Sequence, residues 1–366
     1  EAKINELKEK YNVGVLLVDD ENFGSNRVQA RECARLMKKH GIYWSSQGAR
    51  AASINVEDLK FYKQNNLLAI RYGIESGSQT ILDIMEKKTT THQVYEQIEA
   101  CTRLNVATTS EAFMLGFPGE TRKTVIETSE YNGQLRFLLG NSWNTHYPAW
   151  ATSIPGTPLY EYTQQIGVVG TTLDEEEEYL YRTSDTMEDR GILNYLNKTE
   201  FDIKEVHYWL YLYRYVGKKA YVDEIIKKHK TLKRIVSQIY HHCLKEAFIG
   251  YIHDYKRRIN KKFGFKNNIK TFLQITAKYI TATSVPFLPR FILLPLLKMM
   301  ADFSFRNLEK RFKVKNGPQK YNFFVDRRAE KGIRKGYDFT KKNIADSSRI
   351  IDRSLRSIVK KEAEIV

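Results

Sequence analysis

Short apolar runs alternate with segments of helical spacing through the first 165 residues of the chain. The apolar run Val13–Val18 predicts a buried parallel strand, and further strands are predicted at Ile42–Ser46, Leu67–Ile74, Val106–Leu115 and Ser142–Pro148. Segments with helical periodicity lie between them, at Ser25–Lys39, Asn55–Asn65, Thr91–Asn105 and Thr121–Leu139. Strand–helix–strand repetition predicts a parallel α/β sheet with crossover helices. The short, regular units favour a barrel or partial barrel over an open doubly wound sheet.

The chain changes character after an acidic run at 174–178 and becomes helical and rich in tyrosine and lysine. A dense aromatic stretch at Glu205–Val216 predicts a core between packed helices, with a ligand cradle as the alternative. The most apolar stretch, 285–300, is shorter than the ~20 apolar residues that cross a membrane. It is typical either of a helix in a membrane interface or of a linker buried against the barrel. We therefore predict an α/β domain at 1–165, a helical, aromatic-rich extension at 166–260, and a basic helical region at 261–366 that is membrane-associated or partly disordered.

Charge is distributed unevenly along the chain. The whole sequence has 59 Lys and Arg against 43 Asp and Glu, a net charge of +16. Residues 1–200 contain 21 basic and 28 acidic side chains, whereas residues 201–366 contain 38 and 15, so their net charges are −7 and +23. A basic unit attracts anionic lipid or nucleic acid, and solvated helix faces are the ordinary alternative. The second half shows no recognisable RNA-binding motif, which favours lipid over nucleic acid.

Three cysteines, Cys33, Cys101 and Cys243, are scattered through the chain. An odd, widely spaced set argues against a disulfide framework and is typical of a reducing cytoplasm. The cysteines have no metal-ligand spacing, and the pair His241 and His242 has no acidic or cysteine neighbour, so the sequence predicts no metal ligands. We expect a cytoplasmic protein, with peripheral membrane association as an open alternative.

Four polar or glycine-rich segments follow predicted strands, at the edge of the sheet that carries active sites in parallel barrels. They lie at 18–23 (VDDENF), 73–78 (GIESGS), 114–121 (MLGFPGET) and 154–158 (IPGTP). The carboxylate in the second segment can accept hydrogen bonds from ribose or amino groups, and its neighbouring glycines permit close approach of a ligand. Free backbone N–H groups at the helix start in the third segment suit a polar ligand. Each segment alone is equally typical of a turn or a helix cap.

The order and spacing of these segments resemble the radical S-adenosylmethionine (SAM) superfamily, and within it the branch with an N-terminal cobalamin-binding domain. DDENF at 19–23 is similar to that branch's DD-x-F segment, and Arg50 resembles an arginine that often follows the next strand. GIESGSQTILDIMEKKTT at 73–90, MLGFPGET at 114–121 and IPGTPLY at 154–160 are close to its later strand segments. The resemblance runs nearly continuously over the predicted α/β domain.

This resemblance implies a fold and a chemistry. The fold is α/β, a partial (β/α)6 TIM-like barrel of the radical SAM type that lacks its first strand, followed by a mostly α-helical basic C-terminal extension. In the family, a four-iron four-sulfur (4Fe-4S) cluster donates an electron to SAM, and the resulting 5′-deoxyadenosyl radical abstracts hydrogen from an unactivated carbon. The cobalamin branch can instead transfer a methyl group. The implied partners are a small or lipid-like substrate and an electron donor such as flavodoxin or ferredoxin.

The matched motifs also imply cofactor-binding residues. Glu75 would bind the SAM ribose or amino group with support from Ser76, and Arg50 would pair with a carboxylate. Asp19 and Asp20 would lie near the methionine moiety or the substrate. The adenine side would be lined by Gly116, Phe117, Pro118, Gly119 and Glu120. No catalytic side chain is identified by the resemblance.

One departure from the family concerns the cluster ligands. The C-x-x-x-C-x-x-C motif that supplies three thiolates is absent, and Cys33 and Cys101 fall on the buried faces of predicted helices. We therefore expect that the chain is truncated after that motif, that its cobalamin domain is absent, and that the fragment is inactive although its parent is an enzyme. The alternatives are a non-catalytic radical SAM-like binding protein and an RNA-modifying radical SAM enzyme with a basic nucleic-acid-binding extension.

Overall fold

The structure of the chain is a computed structural model. It describes residues 1–20, 22–108, 113–140, 148–165, 169, 172–177, 203–245, 249, 251–252, 273, 276, 279–280 and 283–312. Of the predicted strand at Ser142–Pro148, only Pro148 is among the described residues. The middle of the predicted strand at Val106–Leu115 also lies outside them. Most of 261–366 also lies outside them, and the predicted domain boundaries stay predictions.

The α/β region alternates strands and helices, as the sequence predicts. The described strands are β1 (Val15–Asp19), β2 (Tyr43–Ala49), β3 (Leu67–Tyr72), β4 (Met114–Leu115) and β5 (Ala149–Trp150). The helices are α1 (Ala2–Tyr11), α2 (Arg27–Lys39), α3 (Val56–Gln64), α4 (Gln79–Ile84), α5 (Thr91–Leu104), α6 (Arg122–Leu138) and α7 (Pro158–Gln165). The hydrophobic pattern does not predict α1, which precedes the first strand.

Strands that are consecutive in sequence are neighbours in space. β1 pairs with β2 and β2 with β3, all in parallel. Parallel bridges join Ala69 to Ala107 and Glu75 to Phe113, which connects β3 to the residues before β4, and β4 pairs in parallel with β5. The carboxyl ends of the strands therefore face one edge. A parallel α/β fold is confirmed, and closure into a partial (β/α)6 barrel stays a prediction.

Polar caps explain where four of the helices begin. The side chains of Asn26, Asn55, Thr90 and Thr121 accept hydrogen bonds from backbone N–H groups in the first turns of α2, α3, α5 and α6. Such a cap satisfies a donor that the helix itself leaves unpaired, and it stabilises the helix by about 1 kcal/mol. Each cap stands at the predicted start or one residue from it, so local chemistry sets these boundaries.

The prediction that the first strand is buried is wrong. The side chains of Val15 and Leu17 in β1 are 57% and 55% exposed. Among the described residues, β1 pairs with β2 alone and forms an edge of the sheet. An apolar run is typical of a strand covered on both faces, but the position of a strand within a sheet depends on segments that are distant in sequence.

The described C-terminal residues are helical and pack against the α/β region. They form α8 (Ile203–Lys228), α9 (Leu232–Ile239), a π-helical turn (Tyr240–Leu244), a 3-10 turn (Val285–Phe287) and α10 (Arg290–Phe312). α8 lies between α6 and α10, and its side chains Val206, Trp209, Leu212 and Tyr213 are buried. The prediction of a helix–helix core at Glu205–Val216 is confirmed.

α10 has two apolar faces, of which one is buried. The buried face carries Leu293, Leu297, Ala301 and Phe305, and the exposed face carries Phe291, Ile292, Met299 and Phe303. The stretch 285–300 is therefore a packing element that also leaves apolar surface open. No helix in the described part of the chain has both the length and the apolar character needed to cross a bilayer.

Candidate cofactor site

Two of the predicted motifs meet where β3 and β4 end. Glu75 is paired in parallel with Phe113, and the Met114 N–H donates to the Glu75 carbonyl oxygen at 2.7 Å. A Cβ placed on Gly119 would lie 2.6 Å from Cδ1 of Ile84, so the turn also packs against α4, the helix that follows the Glu75 loop. The segments 73–78 and 114–121 therefore share one rim of the sheet, which is the placement that the predicted site requires.

The carboxylate of Glu75 is held back over the end of its own strand. Glu75 has a φ of +64°, a left-handed conformation that costs a non-glycine residue roughly 1–2 kcal/mol. Its Oε1 accepts a hydrogen bond from the Lys87 ammonium at 2.8 Å. A Cβ on Gly73 would lie 2.7 Å from that oxygen. The bare glycine backbone thus leaves the space that the carboxylate occupies.

Hydrogen bonds fix the Glu75 loop to α6. The Ser76 and Thr128 hydroxyl oxygens are 2.9 Å apart, and the Gly77 N–H donates to the Thr128 hydroxyl at 3.2 Å. The Ser78 hydroxyl donates to Glu127 Oε2 at 2.5 Å. Ser76 is 1% exposed, so it faces α6 and fixes the loop. This network can perform the supporting role that the resemblance gives to Ser76.

Arg50 reaches the same rim from the end of β2. Its guanidinium donates to the backbone carbonyl oxygen of Lys87, whose ammonium holds Glu75. The structure therefore brings Arg50 and Glu75 together through Lys87, a residue that motif matching missed. The one sequence signal for Lys87 is its place within the matched segment 73–90. Pairing of Arg50 with a ligand carboxylate stays a prediction.

The Gly116–Glu120 turn faces the Glu75 loop and has two left-handed glycines. Gly116 and Gly119 have φ angles of +90° and +80°, which glycine adopts without the steric cost of a side chain. The Glu120 N–H donates to the Phe117 carbonyl oxygen at 2.9 Å and closes the turn. Phe117 is partly exposed, whereas Pro118 is buried. The exposed part of the turn is therefore Phe117 together with Gly119.

Glu120 differs from the other predicted residues because its carboxyl group is enclosed. The side chain is 3% exposed and accepts hydrogen bonds from the Thr124 hydroxyl and the Gly116 N–H. Its Oε2 has no hydrogen-bond partner among the described residues. Burial raises the pKa of the carboxyl from 4.5 to about 7, because loss of water disfavours the charged form. Glu120 therefore stabilises the turn through its hydrogen bonds with Gly116 and Thr124.

Asp19 and Asp20 lie at the same edge of the sheet, two strands away from Glu75. Both are exposed at the end of β1. Asp19 is in register with Gln47 of β2, and the Asp20 carboxylate accepts the Asn22 N–H at 2.8 Å. In the part of the chain that the structure describes, neither contacts the Glu75–Lys87 pair. Their predicted role near the methionine moiety or the substrate stays a prediction.

The cysteines do not fit a 4Fe-4S cluster. Cys33 lies in α2, Cys101 is buried in α5, and Cys243 is buried in the π-helical turn. Burial raises the pKa of the Cys101 thiol to about 12 and that of Cys243 to about 11, whereas cluster ligation requires thiolates. Within the described ranges, no group of three or more His, Cys, Asp or Glu side chains is placed to hold a metal ion.

The rim does fit SAM, whose ribose hydroxyls and ammonium are hydrogen-bond donors. Oε2 of Glu75 makes no hydrogen bond to the described residues, and the side chain is 18% exposed. It can therefore accept a donor from a ligand. In the facing turn, Phe117 and Gly119 are partly exposed, and Ile84 already occupies the space above Gly119. The fit therefore depends on the Glu75 carboxylate as an acceptor, and the adenine side of the site stays a prediction.

Comparisons with known proteins agree with this geometry. Residues 1–131 match the family model described as the Radical SAM superfamily. The uncharacterized methyltransferase PH0819 of Pyrococcus horikoshii is 27% identical over 158 residues, which cover 42% of this chain and 32% of that protein. The anaerobic magnesium-protoporphyrin IX monomethyl ester cyclase of Cereibacter sphaeroides is 27% identical over 167 residues, which cover 43% of this chain and 26% of that protein.

A third relative is named as a synthase of a modified tRNA nucleoside. The tRNA-2-methylthio-N(6)-dimethylallyladenosine synthase of Anaplasma phagocytophilum is 36% identical over 96 residues, which cover 25% of this chain and 20% of that protein. The matched segment thus spans about a third or less of each relative. The family match includes Arg50, Glu75 and the Gly116–Glu120 turn. Residues 1–131 of this chain are therefore similar to the radical SAM superfamily.

Proposed function

We propose that this chain is part of a radical SAM enzyme that acts on an unactivated carbon of a small or lipid-like substrate, by methylation or rearrangement, with a 4Fe-4S cluster and cobalamin. The observation that carries the proposal is the rim shared by Glu75 and the Gly116–Glu120 turn, inside a region that matches the superfamily. Relatives named as a methyltransferase and a cyclase support carbon methylation or ring formation as the reaction class.

In the proposed enzyme, residues of this chain bind and orient SAM. Glu75 accepts hydrogen bonds from the ribose or amino group through Oε2, while Ser76 and Thr128 keep its loop in place. The adenine ring lies along the Gly116–Glu120 turn, in which Phe117 and Gly119 are partly exposed. SAM supplies the deoxyadenosyl or methyl group, and the part of the protein is to hold it in position and keep water away.

We assign the cluster ligands to polypeptide other than these 366 residues. The reason is chemical: the two fully buried cysteines, Cys101 and Cys243, have raised thiol pKa values and lie in different helices. The 366 residues alone are then expected to be inactive. If the gene encodes no C-x-x-x-C-x-x-C motif upstream, a non-catalytic SAM-binding protein replaces the enzyme as the preferred function.

Anaerobic reconstitution with iron and sulfide tests this proposal. The 366-residue chain is expected to take up no stoichiometric cluster, whereas the protein extended to include the upstream cysteine motif is expected to bind one and to consume SAM when reduced.

Glu75→Gln in the longer protein is expected to slow SAM consumption about 10²-fold, because small misplacements of a reacting group have costs of that size. A cluster on the short chain contradicts the ligand assignment. A cluster-loaded longer protein that leaves SAM intact contradicts the proposed enzyme.

Two features of the C-terminal helices favour an anionic membrane surface as a docking partner. The exposed side chains of Ile292, Met299 and Phe303 are spaced by seven and four residues, so they form one stripe along α10. The helix belongs to the half of the chain with a net charge of +23, although its own Arg290 and Lys298 are paired with Glu130 and Asp302. An exposed apolar stripe within a basic region matches the boundary between acyl chains and anionic headgroups. This surface would place the enzyme beside a lipid-like substrate.

RNA is the competing partner, favoured by the likeness to a tRNA-modifying synthase. Flotation with vesicles that contain phosphatidylserine distinguishes the two. The chain is expected to float, and Ile292→Glu with Met299→Glu is expected to reduce the bound fraction at least about fivefold, because two charges would enter the apolar boundary. Val28→Glu is the matched control, since Val28 is an exposed apolar residue on α2. Absence of flotation together with salt-sensitive binding of tRNA contradicts the membrane proposal and supports the RNA-modifying alternative.

A further inference from the structure

Lys87 is joined to the candidate site by a direct contact that the sequence motifs do not predict. Its ammonium lies 2.8 Å from Glu75 Oε1, and the two side chains are 22% and 18% exposed. An ion pair on an open surface contributes little because water screens it. This pair is mostly withdrawn from water, so its geometry is better defined than that of the surface pairs elsewhere in the chain.

The backbone around Lys87 is shaped to direct this side chain toward Glu75. The residues on either side, Glu86 and Lys88, have φ angles of +50° and +52°, which non-glycine residues rarely adopt. The Lys87 N–H donates to the Leu82 carbonyl oxygen at 3.0 Å, and its own carbonyl oxygen accepts from Arg50. The backbone N–H and carbonyl groups of Lys87 are therefore both hydrogen-bonded. Glu86 and Lys88, on either side of it, adopt left-handed backbone conformations that are unfavourable for non-glycine residues.

The ion pair uses one oxygen of the carboxylate and leaves the other available. Oε1 of Glu75 accepts from Lys87 above the bare backbone of Gly73. Oε2 makes no hydrogen bond within the described residues, and it is not enclosed as Oε2 of Glu120 is. A carboxylate that is fixed through one oxygen presents the second in a defined direction.

We propose that Lys87 is a positioning residue for SAM: by holding Oε1 of Glu75 over Gly73, it keeps Oε2 in place for the ribose hydroxyl or ammonium of the ligand. The inference rests on the proposed function, because it assumes that SAM binds to Glu75. Lys87 acts through Glu75 and has no effect of its own on the ligand. Arg50, which fixes the Lys87 backbone, acts one step further from the ligand.

Equilibrium dialysis of radiolabelled SAM against the 366-residue chain tests the inference with a double-mutant cycle. Glu75→Gln and Lys87→Met are each expected to weaken binding about tenfold, the size of one hydrogen bond to a charged group. The double variant is expected to bind no more weakly than Glu75→Gln alone, because Lys87 acts only through the carboxylate. Lys87→Arg is expected to bind within about threefold of the wild type, since it restores a cation at that position.

The outcomes separate this inference from the proposed function. If Glu75→Gln binds SAM as the wild type does, or if the wild type shows no binding, the proposed SAM site is wrong and the role of Lys87 falls with it. If Glu75→Gln weakens binding but the two effects are additive, the inference alone is wrong. Tighter binding by Lys87→Met would also overturn it, because Lys87 would then compete with the ligand. Thermal unfolding of each variant shows whether any loss of binding reflects loss of fold.

Discussion

Gly133→Ala is expected to destabilise the chain by about 2 kcal/mol, although alanine is the better helix former. A Cβ on Gly133 of α6 would overlap the Gly217 carbonyl oxygen and come within 2.8 Å of the Ala220 Cβ, both in α8. Alanine in a helix interior gains about 1 kcal/mol over glycine from propensity. Overpacking against backbone atoms costs roughly 1–3 kcal/mol and sometimes more, and here two helix backbones would have to separate. The steric cost therefore exceeds the gain in propensity.

Chemical denaturation of the whole chain measures this effect. Gly14→Ala is the matched control, because a Cβ at Gly14 would have no atom within 4 Å and the residue lies outside the helices. The control is expected to change the free energy of unfolding by no more than about 0.5 kcal/mol, as most surface substitutions do. Equal stability of Gly133→Ala and the wild type would show that α6 and α8 are not in close contact.

Gly73→Ala is expected to weaken SAM binding about tenfold while leaving the fold nearly intact. The added Cβ would lie 2.7 Å from Glu75 Oε1 and 3.2 Å from the Lys87 Nζ. Both atoms are at the far ends of flexible side chains, so the ion pair gives way and the backbone stays in place. The carboxylate then loses its defined position, and one charge-assisted hydrogen bond to the ligand is worth about a factor of ten.

Dialysis of SAM together with thermal unfolding distinguishes this prediction from a general loss of stability. Gly14→Ala again serves as the control and is expected to bind SAM as the wild type does. An unchanged affinity in Gly73→Ala would contradict the idea that the space above Gly73 positions the Glu75 carboxylate. A large drop in the unfolding temperature would mean that the substitution strains the strand end itself.

Local chemistry accounts for the elements that the sequence predicts best. Asn55 and Thr121 are small polar residues directly before amphipathic segments, and both cap helices at the predicted positions. The apolar run at Leu67–Ile74 predicts β3 to within two residues of its C-terminal end, Tyr72. In each case the deciding interactions lie within a few residues of one another, so a pattern in the sequence contains them.

Contacts between distant segments account for what the sequence does not predict. β1 has the composition of a buried strand, yet Val15 and Leu17 are exposed because the strand lies at the sheet edge. The contact between Gly133 and Gly217 joins two helices that no motif relates. Such features depend on which segments meet after folding, and a hydrophobic pattern describes only which face each segment buries.

The candidate site shows the same division. Motif resemblance places Glu75 and the Gly116–Glu120 turn correctly on one rim, since both follow parallel strands. It gives no sign that Glu120 is enclosed or that Lys87 holds Glu75. In the sequence, a single lysine after a short helix is no different from a surface lysine, because its contact with Glu75 forms only in the folded chain.

The packing of α8 on α6 also determines when the core of this protein can be completed during synthesis. α8 begins 65 residues after α6 ends, at Ile203 and Leu138 respectively. At a translation rate of about 5–20 residues per second, α6 waits roughly 5–20 s for the whole of α8 to be made. During that interval the Phe137 ring, which packs on Tyr221 of α8, and the bare backbone at Gly133 have no partner helix. The nascent chain therefore presents an apolar surface to the ribosome exit and to chaperones.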